Sequence, residues 1–201
     1  MPWLPCRTTI KNDVPFLPED PYKQRMQLST YTEALSKKTV SEFFAGIGLV
    51  RMGLEQDGWS VVFANDIAED KQQLYDNHFQ DNPTHFRKQN IHELNVENVP
   101  TTALATASFP CTDLSLAGMR QGLSGKHSSA FWGFIRILDE LGPRRPPLVL
   151  LENVSGFLTS HGGIDFQAAL LALNRLGYTV DAIILVCRPV NPLSYSWSHR
   201  L

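Results

Sequence analysis

The sequence predicts an α/β fold with a mostly parallel sheet and helices on both of its faces. Short apolar segments rich in Val, Ile and Phe alternate with segments of helical periodicity between residues 39 and 185, as is typical of such folds. Glycines end helical segments at Gly58 and Gly177, which is where a helix commonly stops. One segment, PPLVLLENV, is apolar nearly throughout, which predicts a strand buried on both faces of a parallel sheet.

The first part of this region alternates between the two kinds of element. The helix after the first strand is predicted from the spacing of Leu49, Met52 and Leu54. In chain order the segments are TVSEFF (strand, 39–44), GLVRMGLEQDG (helix, 48–58), WSVVFAN (strand, 59–65), IAEDKQQLYDNHF (helix, 67–79) and HFRKQNIHEL (a weaker strand, 85–94).

The second part continues the alternation. Its first helix is amphipathic, with Phe131, Phe134 and Leu138 on one face. In chain order the segments are ALATASF (strand, 103–109), SSAFWGFIRILDELG (helix, 128–142), PPLVLLENV (strand, 146–154), FQAALLALNRLG (helix, 166–177) and YTVDAIILV (strand, 178–186).

The two ends of the chain differ from this region. Residues 1–38 begin with a proline-rich stretch, which predicts an irregular leader followed by a short polar helix. Residues 186–201 have neither strand nor helix period and contain Pro189, Pro192 and Trp197. We therefore expect one domain over residues 39–185, flanked by a leader and an atypical tail.

The composition excludes several classes of protein. A formal net charge of −2 argues against a large sequence-independent grip on nucleic acid, although another chain or domain can supply one. The three cysteines, Cys6, Cys111 and Cys187, include no C-x-x-C pair, so we expect neither a disulfide framework nor a metal site. No apolar run has membrane-spanning length, and the N-terminus lacks a signal-peptide core, which predicts a cytoplasmic protein.

Ligands of parallel α/β sheets bind beyond the carboxyl ends of the strands. The first two predicted strands are followed there by residues that are typical of a nucleoside-binding site. Gly46 and Gly48 form a G-x-G turn before a helix, where amides can face an anionic group, although tight turns without ligands use the same pattern. Asp66 follows about 20 residues later, at a distance typical of a carboxylate that binds a nucleoside ribose. Its alternative role is to cap the next helix.

The last two predicted strand ends carry a thiol and a carboxylate. Cys111 follows Pro110 and is either an inert core thiol or a nucleophile. Glu152 ends the apolar strand, where a carboxylate is costly unless it is hydrogen-bonded or functional. A partly desolvated Glu152 would have a raised pKa and could hold a proton near neutral pH, whereas its ordinary role would be to cap a loop.

Three segments, SEFFAGIGL, ASFPCTDLS and LLENV, occur in this order and together resemble the cytosine-C5 DNA methyltransferases over residues 39–185. The resemblance implies a Rossmann-like fold that binds S-adenosylmethionine and methylates a cytosine flipped out of duplex DNA. It further implies that the Cys111 thiolate adds to C6 of the base while Glu152 contacts N3, that Pro110 stiffens the loop and that Asn153 supports it.

The resemblance also assigns a cofactor site. The residues that it places there are Phe44, Ala45, Gly46, Ile47, Gly48, Asp66, Ile67, Asn90, Ile91 and Pro110. Three positions depart from the family pattern, since Asp66 stands where Glu is usual, Asn90 where Asp is common, and Leu49 where Gly is frequent. An Asn carbonyl carries less charge than a carboxylate, so we expect weaker cofactor binding.

The resemblance stops after residue 185. The Q-x-R-x-R segment, the target-recognition domain and the final elements of the family are not found in VCRPVNPLSYSWSHRL. One hypothesis is a split enzyme completed by a second subunit, and another, favoured by the tail composition, is a frameshifted or truncated chain that is inactive alone. A tRNA cytosine-5 methyltransferase and a non-catalytic cofactor-binding remnant remain alternatives, whereas a nicotinamide enzyme is disfavoured because the third glycine is missing.

Overall fold

The computed structural model describes residues 32, 35–80, 85–110 and 130–185. Within them a five-stranded sheet has the order β3-β2-β1-β4-β5, and every neighbouring pair is parallel. The strands are β1 (Thr39–Phe43), β2 (Ser60–Asp66), β3 (Phe86–Lys88), β4 (Leu104–Ala107) and β5 (Leu148–Leu151). The helices are α1 (Leu49–Gln56), α2 (Glu69–Phe79), α3 (Ala130–Glu140) and α4 (Ile164–Arg175), with 3₁₀ segments at Val96–Asn98, Gly142–Arg144 and Ser155–Gly163.

Helices cover both faces of this sheet. On one face Phe43 and Ala105 pack with Phe134 of α3 and Leu173 of α4. On the other face the sheet packs against α1 and α2, through the clusters Val40, Val61, Leu104 and Leu54, and Ala64, Tyr75 and Phe86. The predicted parallel α/β fold with helices on both faces is therefore confirmed.

The strand register aligns the carboxyl ends of the strands. Phe43 of β1 lies opposite Asn65 of β2 and Ala107 of β4, and Ala107 lies opposite Leu151 of β5. The strand order reverses its direction at β1, which creates the switch point where ligands of such sheets bind. The segments that follow β1, β2, β4 and β5 consequently begin along one edge.

Two predictions about the second part of the sheet are wrong. β5 is not buried on both faces, because Leu148 and Leu150 are 44% and 47% exposed. The strand predicted for YTVDAIILV is absent from its described residues, 178–185, and Ile183, Ile184 and Leu185 are exposed. Leu148 and Leu150 lie on the same face of β5, and no other described element covers them. Residues 178–185 do not pair with the free edge of β5, and a strand forms only where a neighbour completes its hydrogen bonds.

Helix α1 forms where its apolar spacing predicts, but its buried side chain is a charged one. Arg51 is buried, whereas Leu49 and Met52 are exposed. No helix within the described ranges is long and apolar enough to cross a membrane. The predictions for the tail and for Cys111 lie outside the described residues, as does all of the leader except residues 32 and 35–38.

Candidate functional site

The turn between β1 and α1 adopts a left-handed backbone at every second residue. Phe44, Gly46 and Gly48 have φ values of 55°, 58° and 84°, a conformation that disfavours residues with a Cβ. Gly48 also lacks room for a side chain, since an added Cβ would lie 2.3 Å from Phe79 Cε2 and 2.9 Å from Tyr75 Cε2. The turn is therefore packed directly against α2.

Asp66 joins this turn to the end of β2. Its Oδ2 accepts a hydrogen bond from the Gly46 amide at 3.0 Å, and its Oδ1 accepts one from the Ala68 amide at 3.0 Å. Lys71 Nζ lies 3.5 Å from Oδ2. Asp66 does not cap the next helix, because the N-cap residue of α2 is Ala68 and that helix has no side-chain cap. Because each carboxylate oxygen can accept two hydrogen bonds, Oδ1 retains acceptor capacity for a ligand.

Glu42 in β1 lies beneath the same turn and is 2% exposed. Its Oε1 accepts the Arg51 amide at 3.2 Å, and its Oε2 accepts the Tyr75 hydroxyl at 3.4 Å. Burial raises the pKa of Glu42 to about 7, against the lowering effects of these two hydrogen bonds and of the Arg51 charge. Arg51 itself stacks over Phe79, with Cζ 3.9 Å from the ring centroid.

The loop after β3 is held by helix α3. Arg136 Nη2 donates to the carbonyl oxygens of Ile91 at 2.8 Å and Leu94 at 3.0 Å. A Cβ on Gly133 would lie 2.6 Å from Ile91 Cγ2, so helix and loop are in close contact. Asn90 Oδ1 accepts the His92 amide at 3.1 Å, which uses one of the two acceptor sites of the carbonyl expected to face a cofactor.

The ends of β4 and β5 are joined by Asn153. Its Nδ2 donates to the Phe109 carbonyl oxygen at 3.0 Å, and the Glu152 amide donates to the Ala107 carbonyl oxygen at 3.1 Å. Pro110 and Glu152 are exposed. Asn153 thus ties the end of β5 to the segment that follows β4; its predicted support of the loop around Cys111 lies outside the described residues.

The chain matches the sequence model of the C-5 cytosine-specific DNA methylase family over residues 38–191. It belongs to this family. Similar relatives include the Type II methyltransferase M.BsuFI of Bacillus subtilis, which is 32% identical over 144 residues, or 72% of this chain and 34% of the relative. Another is M.DsaV of Dactylococcopsis salina, which is 32% identical over 150 residues, or 75% of this chain and 41% of the relative. The chain thus spans less than half the length of these relatives.

Solved structures agree on the fold. The Dnmt2 methyltransferase of S. pombe superposes with a TM-score of 0.51 at 23% identity, over 66% of this chain and 41% of that one. The DNMT2 mutant of Spodoptera frugiperda gives a TM-score of 0.52 at 24% identity, over 68% of this chain and 41% of that one. The predicted Rossmann-like methyltransferase fold is confirmed.

The structure brings most of the predicted site residues to one edge of the sheet. Residues 44–48 lie beside Asp66, and Ile67 next to it has an exposed side chain. Ala45 and Ile91 are different, because their side chains pack in core clusters, and the Ile91 carbonyl oxygen already accepts a hydrogen bond from Arg136.

Sequence reasoning missed Glu42, Arg51 and Arg136 as residues that hold these segments. Only Glu42 had a visible signal, since it is the single acidic residue in the apolar segment TVSEFF.

Proposed function

We propose that this chain is the cofactor-binding and catalytic part of a DNA cytosine-C5 methyltransferase, with residues 39–185 as the catalytic domain. The observation that carries the proposal is the convergence of the FAGIG turn, Asp66 and the Asn153-supported segment before Cys111 at one sheet edge, in a chain of this family. The cytoplasmic location stays a prediction from the sequence.

The cofactor would be S-adenosylmethionine, held by residues 44–48 and by Asp66. The fit rests on three features. Among the described residues, chain neighbours aside, the one atom near a Cβ added at Gly46 is the Phe44 carbonyl oxygen, at 4.0 Å. The buried Asp66 carboxylate retains acceptor capacity at Oδ1 for a ribose hydroxyl, and the exposed Ile67 side chain offers an apolar contact. When bound, this cofactor supplies the methyl group. The Asn90 carbonyl is shared with the His92 amide, so its contact with adenine would be weak.

The catalytic residues would be Cys111 and Glu152. The Cys111 thiolate would form a bond to C6 of cytosine, while the exposed Glu152 side chain contacts N3 and stabilises the protonated ring as the adduct forms. Electron density would move to C5, which would accept the methyl group and leave S-adenosylhomocysteine. Loss of the C5 proton to a base and cleavage of the sulfur–C6 bond then restore the aromatic ring and the thiolate. Asn153 fixes the main chain two residues before Cys111.

We propose further that methylation of DNA by these residues needs a target-recognition region, which in a split enzyme would be carried by a second subunit. The relatives are more than twice as long as the matched part. Two apolar surfaces are available for contact: Leu148 and Leu150 on β5, and Leu49 and Met52 on α1.

The test is methyl transfer from tritiated S-adenosylmethionine to duplex DNA, measured with and without a polypeptide that carries the rest of a relative. We expect transfer only in the mixture, and none with Cys111→Ser. If Cys111→Ser transfers at the wild-type rate, the nucleophile is assigned wrongly. Transfer to tRNA but not to DNA would replace the proposed substrate, and cofactor binding without transfer to either would favour a non-catalytic protein.

A further inference from the structure

The N-terminus of helix α1 lacks a side-chain cap of its own. Its N-cap residue is Gly48, which has no oxygen to offer to the first amides of the helix. Such amides usually receive a hydrogen bond from Ser, Thr, Asp or Asn at the N-cap position. Here the Arg51 amide donates instead to Glu42 Oε1 at 3.2 Å, so the cap comes from the adjacent strand.

The second oxygen of Glu42 reaches helix α2. Tyr75 Oη donates to Oε2 at 3.4 Å, and Arg51 Nη1 donates to Tyr75 Oη at 3.2 Å. The Tyr75 ring also lies where a Cβ on Gly48 would have to be placed. A single buried carboxylate thus connects β1 to the two helices that enclose the glycine turn.

We propose that Glu42 is a positioning residue for the cofactor, because it holds the start of α1 and thereby the turn of residues 44–48. The inference rests on the proposed function insofar as this turn binds S-adenosylmethionine. Glu42 acts through the turn and is not assigned a contact with the cofactor.

The protonation state of Glu42 changes the strength of this support. An ionised carboxylate accepts both hydrogen bonds more strongly than a neutral one, so the turn is held best when Glu42 is charged. The charged and titratable groups around it are Arg51 and Glu55 from α1, Tyr75 from α2, and His85, whose Nε2 lies 3.4 Å from Tyr75 Oη. Because burial raises the pKa of Glu42 to about 7, the change falls in an accessible pH range.

The experiment measures binding of S-adenosylmethionine and of S-adenosylhomocysteine by calorimetry between pH 5.5 and 8.5. For the wild type we expect both affinities to rise roughly fivefold with pH, since charge-assisted hydrogen bonds exceed neutral ones by about 1 kcal/mol. Glu42→Gln should bind both molecules with the weaker, acidic-side affinity at every pH. Glu55→Gln is the matched control: it removes a carboxylate that pairs with Arg51 Nε at 2.7 Å, and it should keep the rise.

Three results would overturn the proposal: a flat wild-type profile, a rise that persists in Glu42→Gln, or a rise confined to S-adenosylmethionine. The last would indicate attraction of the sulfonium charge rather than positioning. If the wild type binds neither molecule at any pH, the proposed function fails, and Glu42 is then judged from the Arg51 amide resonance. A shift with its midpoint near pH 7 supports the cap, and an amide that does not titrate refutes it.

Discussion

Substitution of Gly48 by alanine tests how tightly the glycine turn is packed against α2. The new Cβ would lie 2.3 Å from Phe79 Cε2 and 2.8 Å from Phe79 Cζ, well inside contact distance. Phe79 is only partly buried and must move. Overpacking of this kind costs about 1–3 kcal/mol, and the left-handed φ of 84° adds about 1–2 kcal/mol for any residue with a Cβ. The free energy of unfolding should therefore fall by about 2–5 kcal/mol.

Gly58 at the other end of α1 provides a matched control. Its φ of 77° is close to that of Gly48, but an added Cβ would meet no atom of the described residues within 4 Å. Gly58→Ala should carry the backbone cost alone, and the smaller entropy of an unfolded alanine chain affects both variants equally. The difference between the two variants thus isolates the contact with α2.

Urea unfolding at neutral pH measures this difference. With a denaturant slope of about 2 kcal/mol per molar, we expect Gly48→Ala to unfold roughly 0.5–1.5 M earlier than Gly58→Ala. Adding Phe79→Leu to Gly48→Ala should recover part of the loss, since the two residues are in contact. The packing argument would be refuted if Gly48→Ala and Gly58→Ala had equal midpoints and if the effects of Gly48→Ala and Phe79→Leu on the free energy of unfolding simply added in the double variant.

Three further predictions concern stability. Burial raises the folded-state pKa of Glu42 to about 7, above its ordinary 4.5, because the charged form is costly in the folded protein even though it accepts its hydrogen bonds more strongly. The contribution of Glu42 to the free energy of unfolding is therefore complete below pH 4.5 and is lost as the pH rises through 7. In urea, the free energy of unfolding should be lower at pH 8 than at pH 5 by up to about 3 kcal/mol, and Glu42→Gln should not show this fall. Gly133→Ala, whose Cβ would lie 2.6 Å from Ile91 Cγ2, should lower the free energy of unfolding by about 1–3 kcal/mol. Gly53→Ala, whose Cβ would meet no described atom within 4 Å, should raise it by up to about 1 kcal/mol. Equal changes in the two variants would contradict close contact between α3 and the loop after β3. Asn153→Ala removes a bond to the main chain after β4 and should lower thermal stability by about 1 kcal/mol, and no change in melting temperature would show that the bond contributes nothing.

The alternation of strands and helices was predictable because it depends on local periodicity. β1 to β5 and α1 to α4 all lie inside the segments that hydrophobic spacing indicated, or within two residues of them. The segment of residues 178–185 has an equally apolar sequence but forms no strand. A strand depends on a neighbouring strand, which local periodicity does not report. Burial of a strand face likewise depends on an element that covers it, and one face of β5 remains exposed.

The residues of the candidate site were predictable at positions where the backbone conformation favours glycine or where a polar residue follows the end of a strand. Burial was harder to predict: the argument that a carboxylate on a buried strand must be hydrogen-bonded was applied to Glu152, which is exposed. The argument describes Glu42, which is buried under α1 and α2 and has a raised pKa. The covering residues, Arg51 and Tyr75, lie on other elements, 9 and 33 residues after Glu42, so the strand alone could not identify the buried carboxylate.

The two glycines of the G-x-G turn are consequently not equivalent. Gly48 is explained by the protein itself, because Phe79 and Tyr75 fill the space that a side chain would need. At Gly46 the nearest described atom to an added Cβ is the Phe44 carbonyl oxygen, at 4.0 Å, so packing by the described residues does not demand a glycine there. Its φ of 58° is a strain that Phe44 tolerates at 55°. A glycine at this position therefore serves the close approach of a cofactor, and a Cβ there should weaken cofactor binding far more than it lowers stability.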